Sequence, residues 1–132
     1  MNDIDEILTN CKTIAIVGLS PKADRPSYGV AQYLKEHGWC IIPVNPATDE
    51  ILGERCYPDL ASIPGPVDAV DIFRRSEDVP PIVEAAIKKG AKAVWMQEGV
   101  VNEEAALHAK KAGLWVVMDR CIKVEHRHRR SK

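Results

Sequence analysis

The segment TIAIVGLSPKADRPSYG, residues 13–29, predicts a strand, a glycine turn and the start of a helix. The four consecutive apolar residues at 14–17 indicate a strand buried on both faces, which is typical of a parallel sheet. Gly18 follows the strand, and a polar loop with Lys22 and Arg25 leads into the helix. Because backbone N–H groups and the helix dipole favour anions at a helix N-terminus, this segment predicts a phosphate-binding loop.

Outside this segment, apolar runs alternate with amphipathic runs. They predict strands at 13–18, 39–44, 67–73, 92–97 and 114–118, and helices at 3–11, 27–38, from Ser76 to a stop at Gly90, and at 103–112, with N-caps at Asp3, Ser27 and Asn102. Strands joined by helices predict an α/β fold, a doubly wound sheet of about five parallel strands in a single domain over residues 1–132. Ligands bind such sheets at the carboxyl ends of the strands. The functional residues are therefore expected at 18–29, 43–46, 73–76, 96–99 and 118–121.

The composition argues against several classes of function. A formal net charge of −1 gives no argument for a nucleic-acid or membrane surface. No apolar run approaches the ~18 residues that span a bilayer, and the acidic N-terminus does not resemble a signal peptide, so a cytoplasmic protein is expected. The four cysteines lack zinc-ligand spacing with the four histidines, so no metal site is expected. The basic tail HRHRRSK, residues 126–132, is expected to be flexible and solvated.

Charged residues near two strand ends need partners. Asp71 interrupts an apolar run and is expected to be partly buried, so its carboxylate should pair with a backbone group or with Arg74 or Arg75. Asp119 and Arg120, after the last predicted strand, are expected to form a structural ion pair.

The first loop distinguishes between classes of phosphate ligand. Gly18 lacks the glycine-lysine pair of a Walker A loop, and the match to the GxGxxG dinucleotide fingerprint is weak. The second predicted strand ends in Pro43-Val44-Asn45-Pro46, without the acid that binds ribose hydroxyls in NAD sites. The cations Lys22 and Arg25, beside two serines, favour a ligand with concentrated negative charge. The alternative is that both cations are solvated loop residues.

Six segments in order resemble one family. They are VGLSPKADRPSYGV, PVNP, ILGERCYPDL, VDIFRRSEDVP, AVWMQEGV and GLWVVMDRCIK. Together they closely resemble the small, single-domain CoA-binding proteins, which in turn resemble the N-terminal CoA-binding domain of the succinyl-CoA synthetase alpha subunit. The resemblance covers about residues 8 to 125 and implies a Rossmann-like fold that binds coenzyme A.

The resemblance also implies a set of binding residues. The first loop would hold the CoA phosphates, and the end of the second strand would flank the adenosine part. The residues after the third and fourth main strands would line the rest of the site. These residues are Gly18, Ser20, Lys22, Arg25, Ser27 and Tyr28; Val44, Asn45 and Pro46; Phe73, Arg74 and Arg75; and Gln97, Glu98 and Gly99. Cys121 would lie near the CoA thiol, either as a reactive thiol or as a packed residue.

Three readings of function remain open. The leading one is a non-catalytic carrier, sensor or regulatory module that binds CoA or acyl-CoA. The alternative is a CoA- or nicotinamide-dependent enzyme, with thiol redox chemistry at Cys121; a third is an interaction protein with a vestigial site. The synthetase's phosphorylated histidine belongs to another domain, and the histidines here lie in no phosphotransfer motif, so ligase activity is not implied. A homodimer is expected on one ground alone, which is that homodimers are common among small soluble proteins.

Overall fold

The computed structural model describes residues 2–130, which fold around a five-stranded parallel sheet. The elements in chain order are α1 (Asp3–Asn10), β1 (Thr13–Val17), α2 (Pro26–Glu36), β2 (Cys40–Val44), β3 (Glu50–Ile51), β4 (Glu54–Arg55), β5 (Ala69–Ile72), a 3-10 turn (Ser76–Asp78), α3 (Val79–Lys89), β6 (Ala93–Met96), α4 (Glu103–Lys111), β7 (Trp115–Val117) and α5 (Ile122–Arg130). The predicted doubly wound α/β fold is confirmed.

The strand order β2-β1-β5-β6-β7 places the reversal of the sheet between β1 and β5. Counting only the parallel strands, this is the order 2-1-3-4-5, one of the common doubly wound arrangements. Val17, at the end of β1, lies opposite Val44 of β2 and Ile72 of β5. The carboxyl ends of β1 and β5 therefore form the crevice in which this fold class binds ligands. The two short strands β3 and β4 pair as a separate antiparallel hairpin.

Two apolar layers cover the sheet because side chains alternate along each strand. Ile14 and Ile16 of β1 belong to a core cluster with residues of α1, α2 and α5, whereas Ala15 and Val17 belong to a second cluster with α3 and α4. All the residues of β5 and β6 are buried, as expected for strands at the centre of a parallel sheet.

Two of the three predicted N-caps are wrong. Asn102 does cap α4, with Oδ1 accepting from the Ala105 N–H at 2.9 Å. Asn2, and not Asp3, caps α1, and the Asp3 carboxylate accepts from the Val116 N–H of β7. Helix α2 begins at Pro26, one residue before Ser27, because proline fits the first helical position, where its missing N–H costs nothing.

The expectation of a solvated tail from residue 126 is corrected by α5, which continues to Arg130. Ile122 is fully buried against the core. Arg129 forms ion pairs with Asp5 of α1 at 2.6 Å and with Glu125 at 2.9 Å. The His126 ring lies 4.7 Å from the Trp39 ring, edge to face. These contacts hold the basic segment on the protein as far as Arg130; residues 131 and 132 lie outside the described residues.

Among residues 2–130, no helix is long and apolar enough to cross a membrane. The same part of the chain contains no group of three or more histidine, cysteine or acidic side chains arranged to hold a metal ion.

Candidate functional site

A cleft of about 550 Å³ lies at the carboxyl ends of the strands. The start of α2 forms one wall, the segments after β5 and β6 form the floor and the opposite wall, and Cys121 lies at one end. The lining residues are Pro26, Val30, Phe73, Arg74, Arg75, Asp78, Gln97, Glu98, Val100 and Cys121. Four of these were not among the predicted binding residues: Pro26, Val30, Asp78 and Val100. The two valines follow the same periodicity as core residues, so the sequence does not distinguish them.

Two smaller cavities adjoin the cleft. One, of about 320 Å³, shares Pro26 and Phe73 with it and is also lined by Gly18, Ser20, Arg25 and Ser27. The other, of about 350 Å³, shares Glu98 and Cys121 and continues towards α5. The three cavities together extend from the first loop, past Phe73, to the segment that precedes α5.

The first loop is organised by serine hydroxyl groups. Ser27 Oγ accepts from the Ser20 N–H at 3.0 Å, and Ser20 Oγ accepts from the Lys22 N–H at 3.1 Å. No side chain caps the N-terminus of α2, and its first turn contains no acid. The partial positive charge of this helix end and the exposed Arg25 side chain therefore face the smaller cavity, whose lining residues include no acid.

Gly18 brings β1 into close contact with the segment after β5. Its φ angle is +89°, and its N–H donates to the Val44 carbonyl at 3.1 Å. A Cβ atom at this position would lie 2.3 Å from the Phe73 carbonyl oxygen. Only glycine fits this approach, so Gly18 shapes the junction between the smaller cavity and the cleft.

The end of β2 supports the loop instead of lining a cavity. Asn45 Nδ2 donates to the Leu19 carbonyl at 2.9 Å, and its Oδ1 accepts from the Ala47 N–H at 2.8 Å. Val44 is buried in the core. Pro46 is exposed and lines none of the three cavities.

Two arginines on the cleft wall share one carboxylate. Asp78 Oδ2 lies 3.3 Å from Arg74 Nη2 and 3.5 Å from Arg75 Nε. The Arg75 side chain is 77% exposed and that of Arg74 is 46% exposed, so both remain accessible to a ligand. Asp78 holds the two cations at the cleft mouth. Its position four residues after Arg74 is a spacing typical of ion pairs, and this spacing could have predicted the contact.

Gln97 lines the cleft, and its side chain is close enough to the buried Asp71 to affect the pKa of that carboxyl. Asp71 is 0% exposed and Gln97 is 3% exposed. Both carboxylate oxygens of Asp71 and the Nε2 atom of Gln97 lack a hydrogen-bond partner among the described residues. Burial raises the pKa of Asp71 to about 8, against the smaller opposing effects of the Gln97 amide and the Ile72 N–H. Of the two predicted kinds of partner for Asp71, the arginines at 74 and 75 are wrong, because both pair with Asp78. A backbone group, the Ile72 N–H, is close enough to lower the pKa of Asp71.

At the far end, Cys121 is a half-buried free thiol beside the exposed Glu98. Asp119 accepts from the Gly99 N–H at 2.7 Å, whereas Arg120 lies 3.9 Å from Glu125. The predicted ion pair between Asp119 and Arg120 is therefore replaced by two separate contacts, and the one at Asp119 fixes the loop after β6.

The structure places most of the predicted binding residues on the three cavities. Those that line them are Gly18, Ser20, Arg25, Ser27, Phe73, Arg74, Arg75, Gln97, Glu98 and Cys121. Those that do not are Lys22, Tyr28, Val44, Asn45, Pro46 and Gly99. Tyr28 packs against the core and Lys22 is exposed on the loop. The arrangement is that of a doubly wound α/β domain with a ligand cleft at the reversal of its sheet.

Comparison with known proteins identifies the family. Residues 12–127 match the family described as "CoA binding domain", and the chain belongs to it. The chain is 47% identical over 124 residues to the uncharacterized protein YneT of Bacillus subtilis, covering 94% of this chain and 92% of YneT. A solved hypothetical protein from Pyrococcus horikoshii is 46% identical, with a TM-score of 0.92 over 97% of this chain and 92% of that one.

A longer protein shares the domain. An ADP-forming acetate–CoA ligase of Archaeoglobus fulgidus is 33% identical over 95 residues. The match covers 70% of this chain and 14% of the ligase. The predicted membership of the CoA-binding proteins is confirmed.

Proposed function

We propose that the cleft binds coenzyme A or an acyl-CoA, and that the protein acts as a non-catalytic carrier, sensor or regulatory module. The observation that carries the proposal is the run of cavities from Gly18 to Cys121. CoA is a long ligand, anionic at one end and bearing a thiol at the other. The cavity run is cationic at the end of the first loop and reaches a free thiol at the other end.

Each part of the run suits one part of CoA. Phosphate groups would be held by the backbone N–H groups at the start of α2 and by the guanidinium group of Arg25. Lys22 on the same loop and the arginines at 74 and 75 would add cationic contacts. Phe73, with the valines at 30 and 100, offers an apolar surface to the pantetheine arm.

The placement of the histidines supports binding without phosphotransfer. His108 pairs with Glu84 on the outer side of α3 and α4 at 2.8 Å. His37 and His126 lie in an aromatic cluster with Tyr33, between α2 and α5. None of these three histidines lines the cleft or the two adjoining cavities, so the proposal predicts binding of CoA without a phosphorylated histidine.

The test is calorimetric titration of CoA into the protein and the Arg25→Ala variant. Loss of charged hydrogen bonds should weaken binding by about 1–3 kcal/mol, roughly five- to 150-fold. Lys110→Ala is the matched control, because Lys110 is an exposed cation in the last turn of α4, at the opposite edge of the sheet, and should bind CoA like the wild type. Equal affinity in all three proteins would remove Arg25 from the site, and no binding of CoA by the wild type would overturn the proposal.

A further inference from the structure

Asp71 is a buried acid in an apolar setting. In the register of the sheet it lies between Ile16 of β1 and Trp95 of β6. Its side chain shares the face of the sheet on which Ile16 and Trp95 pack beneath α1, α2 and α5. Both neighbours are fully buried. Among residues 2–130, no salt bridge joins a cation to the Asp71 carboxylate, so its ionised form is costly.

Gln97 connects this acid to the cleft. The Gln97 N–H donates to the Ile72 carbonyl, directly after Asp71, and the Gln97 side chain lines the cleft floor. Its Nε2 and both Asp71 oxygens lack partners. The Gln97 amide is nonetheless close enough to lower the pKa of Asp71, so the two side chains are loosely paired. More than about 90% of buried polar groups in proteins are hydrogen-bonded, and a loosely paired donor that lines a cleft is available to a further acceptor.

The charged and titratable groups around Asp71 leave burial as the dominant influence. At the cleft these groups are Arg74, Arg75, Asp78, Glu98 and Cys121. On the elements that cover the same face they are Cys11, Tyr28, Tyr33 and His126. Burial is the largest influence on the pKa of Asp71 and raises it to about 8, against the smaller effects of the Gln97 amide and the Ile72 N–H. At pH 7 the side chain is mostly the neutral acid.

We propose that neutral Asp71 and Gln97 form a proton-controlled recognition site for an amide group of the ligand. Gln97 Nε2 donates to a carbonyl oxygen of the ligand while Asp71 is neutral. When Asp71 loses its proton, the carboxylate becomes a stronger acceptor and takes the Nε2–H donor away from the cleft. The inference rests on the proposed function, because the pantetheine arm of CoA supplies the amide carbonyls.

The proton on Asp71 is tested without ligand. Carboxyl carbon NMR of the full chain should show a carboxyl group that titrates near pH 8 and is absent from Asp71→Asn. Because the folded-state pKa lies above the unfolded value, the stability contribution of Asp71 is full below about pH 4 and is lost as pH rises to about 8. Relative to the wild type, Asp71→Asn should therefore gain stability between pH 4 and pH 8. An Asp71 carboxyl that titrates near pH 4 would overturn the inference.

The effect on binding is tested by calorimetry at pH 7, 8 and 9. The probes are desulfo-CoA, which has no titrating thiol, and adenosine 3′,5′-bisphosphate, which has no pantetheine arm. Wild-type affinity for desulfo-CoA should fall about tenfold from pH 7 to pH 9, while affinity for the bisphosphate stays constant. Asp71→Asn should lose this pH dependence. Gln97→Met, which keeps the side-chain length without the donor, should bind desulfo-CoA more weakly at pH 7 and bind the bisphosphate normally.

The outcomes separate this inference from the proposed function. Binding of desulfo-CoA that is independent of pH, or a pH dependence that persists in Asp71→Asn, would overturn the inference and leave CoA binding in place. Failure of the wild type to bind either probe at any pH would overturn both.

Discussion

Gly18 allows the first loop to pass against the backbone of Phe73, and the cleft depends on that contact. The sequence predicted a glycine turn here from the apolar run that precedes it. The reason that no other residue fits is tertiary, since the Phe73 carbonyl lies in the segment after β5, more than fifty positions away in the chain.

Replacing Gly18 by alanine should destabilise the protein by at least about 2 kcal/mol. A positive φ angle costs a non-glycine residue about 1 kcal/mol or more, and the new Cβ would overlap the Phe73 carbonyl, which adds about 1–3 kcal/mol. Gly29→Ala is the matched control, because a Cβ there has nothing within 4 Å and the residue lies within α2. Urea unfolding should show that Gly29→Ala is neutral or stabilising. Similar midpoints for Gly18→Ala and the wild type would contradict the role given to Gly18.

Helix α5 shows that tertiary contacts can order a segment whose composition predicts a solvated one. The composition of its second half, from residue 126, is dominated by arginine and histidine and indicated a solvated tail. The structure instead packs one apolar residue, Ile122, into the core and pairs Arg129 with acids on two helices. Ser27 is a similar case, since its hydroxyl accepts from the loop instead of capping α2.

Ile122→Ala should lower the free energy of unfolding by about 2–4 kcal/mol, because it leaves a cavity beneath a docked helix. Val124→Ala, two residues along the same helix and 44% exposed, should change it by less than about 0.5 kcal/mol. Chemical denaturation of both variants measures the difference. Equal, small effects would mean that α5 does not pack in solution as the structure describes.

At the scale of the whole molecule, the reversal of the sheet between β1 and β5 brings distant segments into one cleft. The first loop, the arginines after β5, the floor after β6 and Cys121 meet only because these strands end at the same edge. The structure has Asn45 at the end of β2, where an NAD site has an acid. The Asn45 side chain forms hydrogen bonds with the backbone of Leu19 and Ala47.

A ligand that fits the whole run of cavities should stabilise the whole domain. At a hundred times its dissociation constant, CoA should add about 2.7 kcal/mol and raise the melting temperature by about 10 °C. A thermal-shift panel of CoA, acetyl-CoA, NAD, NADP and ATP measures this. CoA or acetyl-CoA should give the largest shift. A larger shift with NAD would contradict the preference inferred from Arg25 and from the missing acid after β2.

The sequence by itself determined the order of the five parallel strands and of helices α1 to α4, the parallel sheet and the loops that carry the candidate site. These follow from local patterns: apolar runs, glycine turns and the residues after each strand. Only the tertiary structure decided which loop residues line a cavity, because that depends on contacts between distant segments. It paired Asp78 with Arg74 and Arg75 and used the end of β2 to support the first loop. It also buried Asp71 near Gln97 with no close hydrogen bond from any residue between 2 and 130. Periodicity can indicate that a residue is buried. The partners of that residue depend on how the helices pack on the two faces of the sheet.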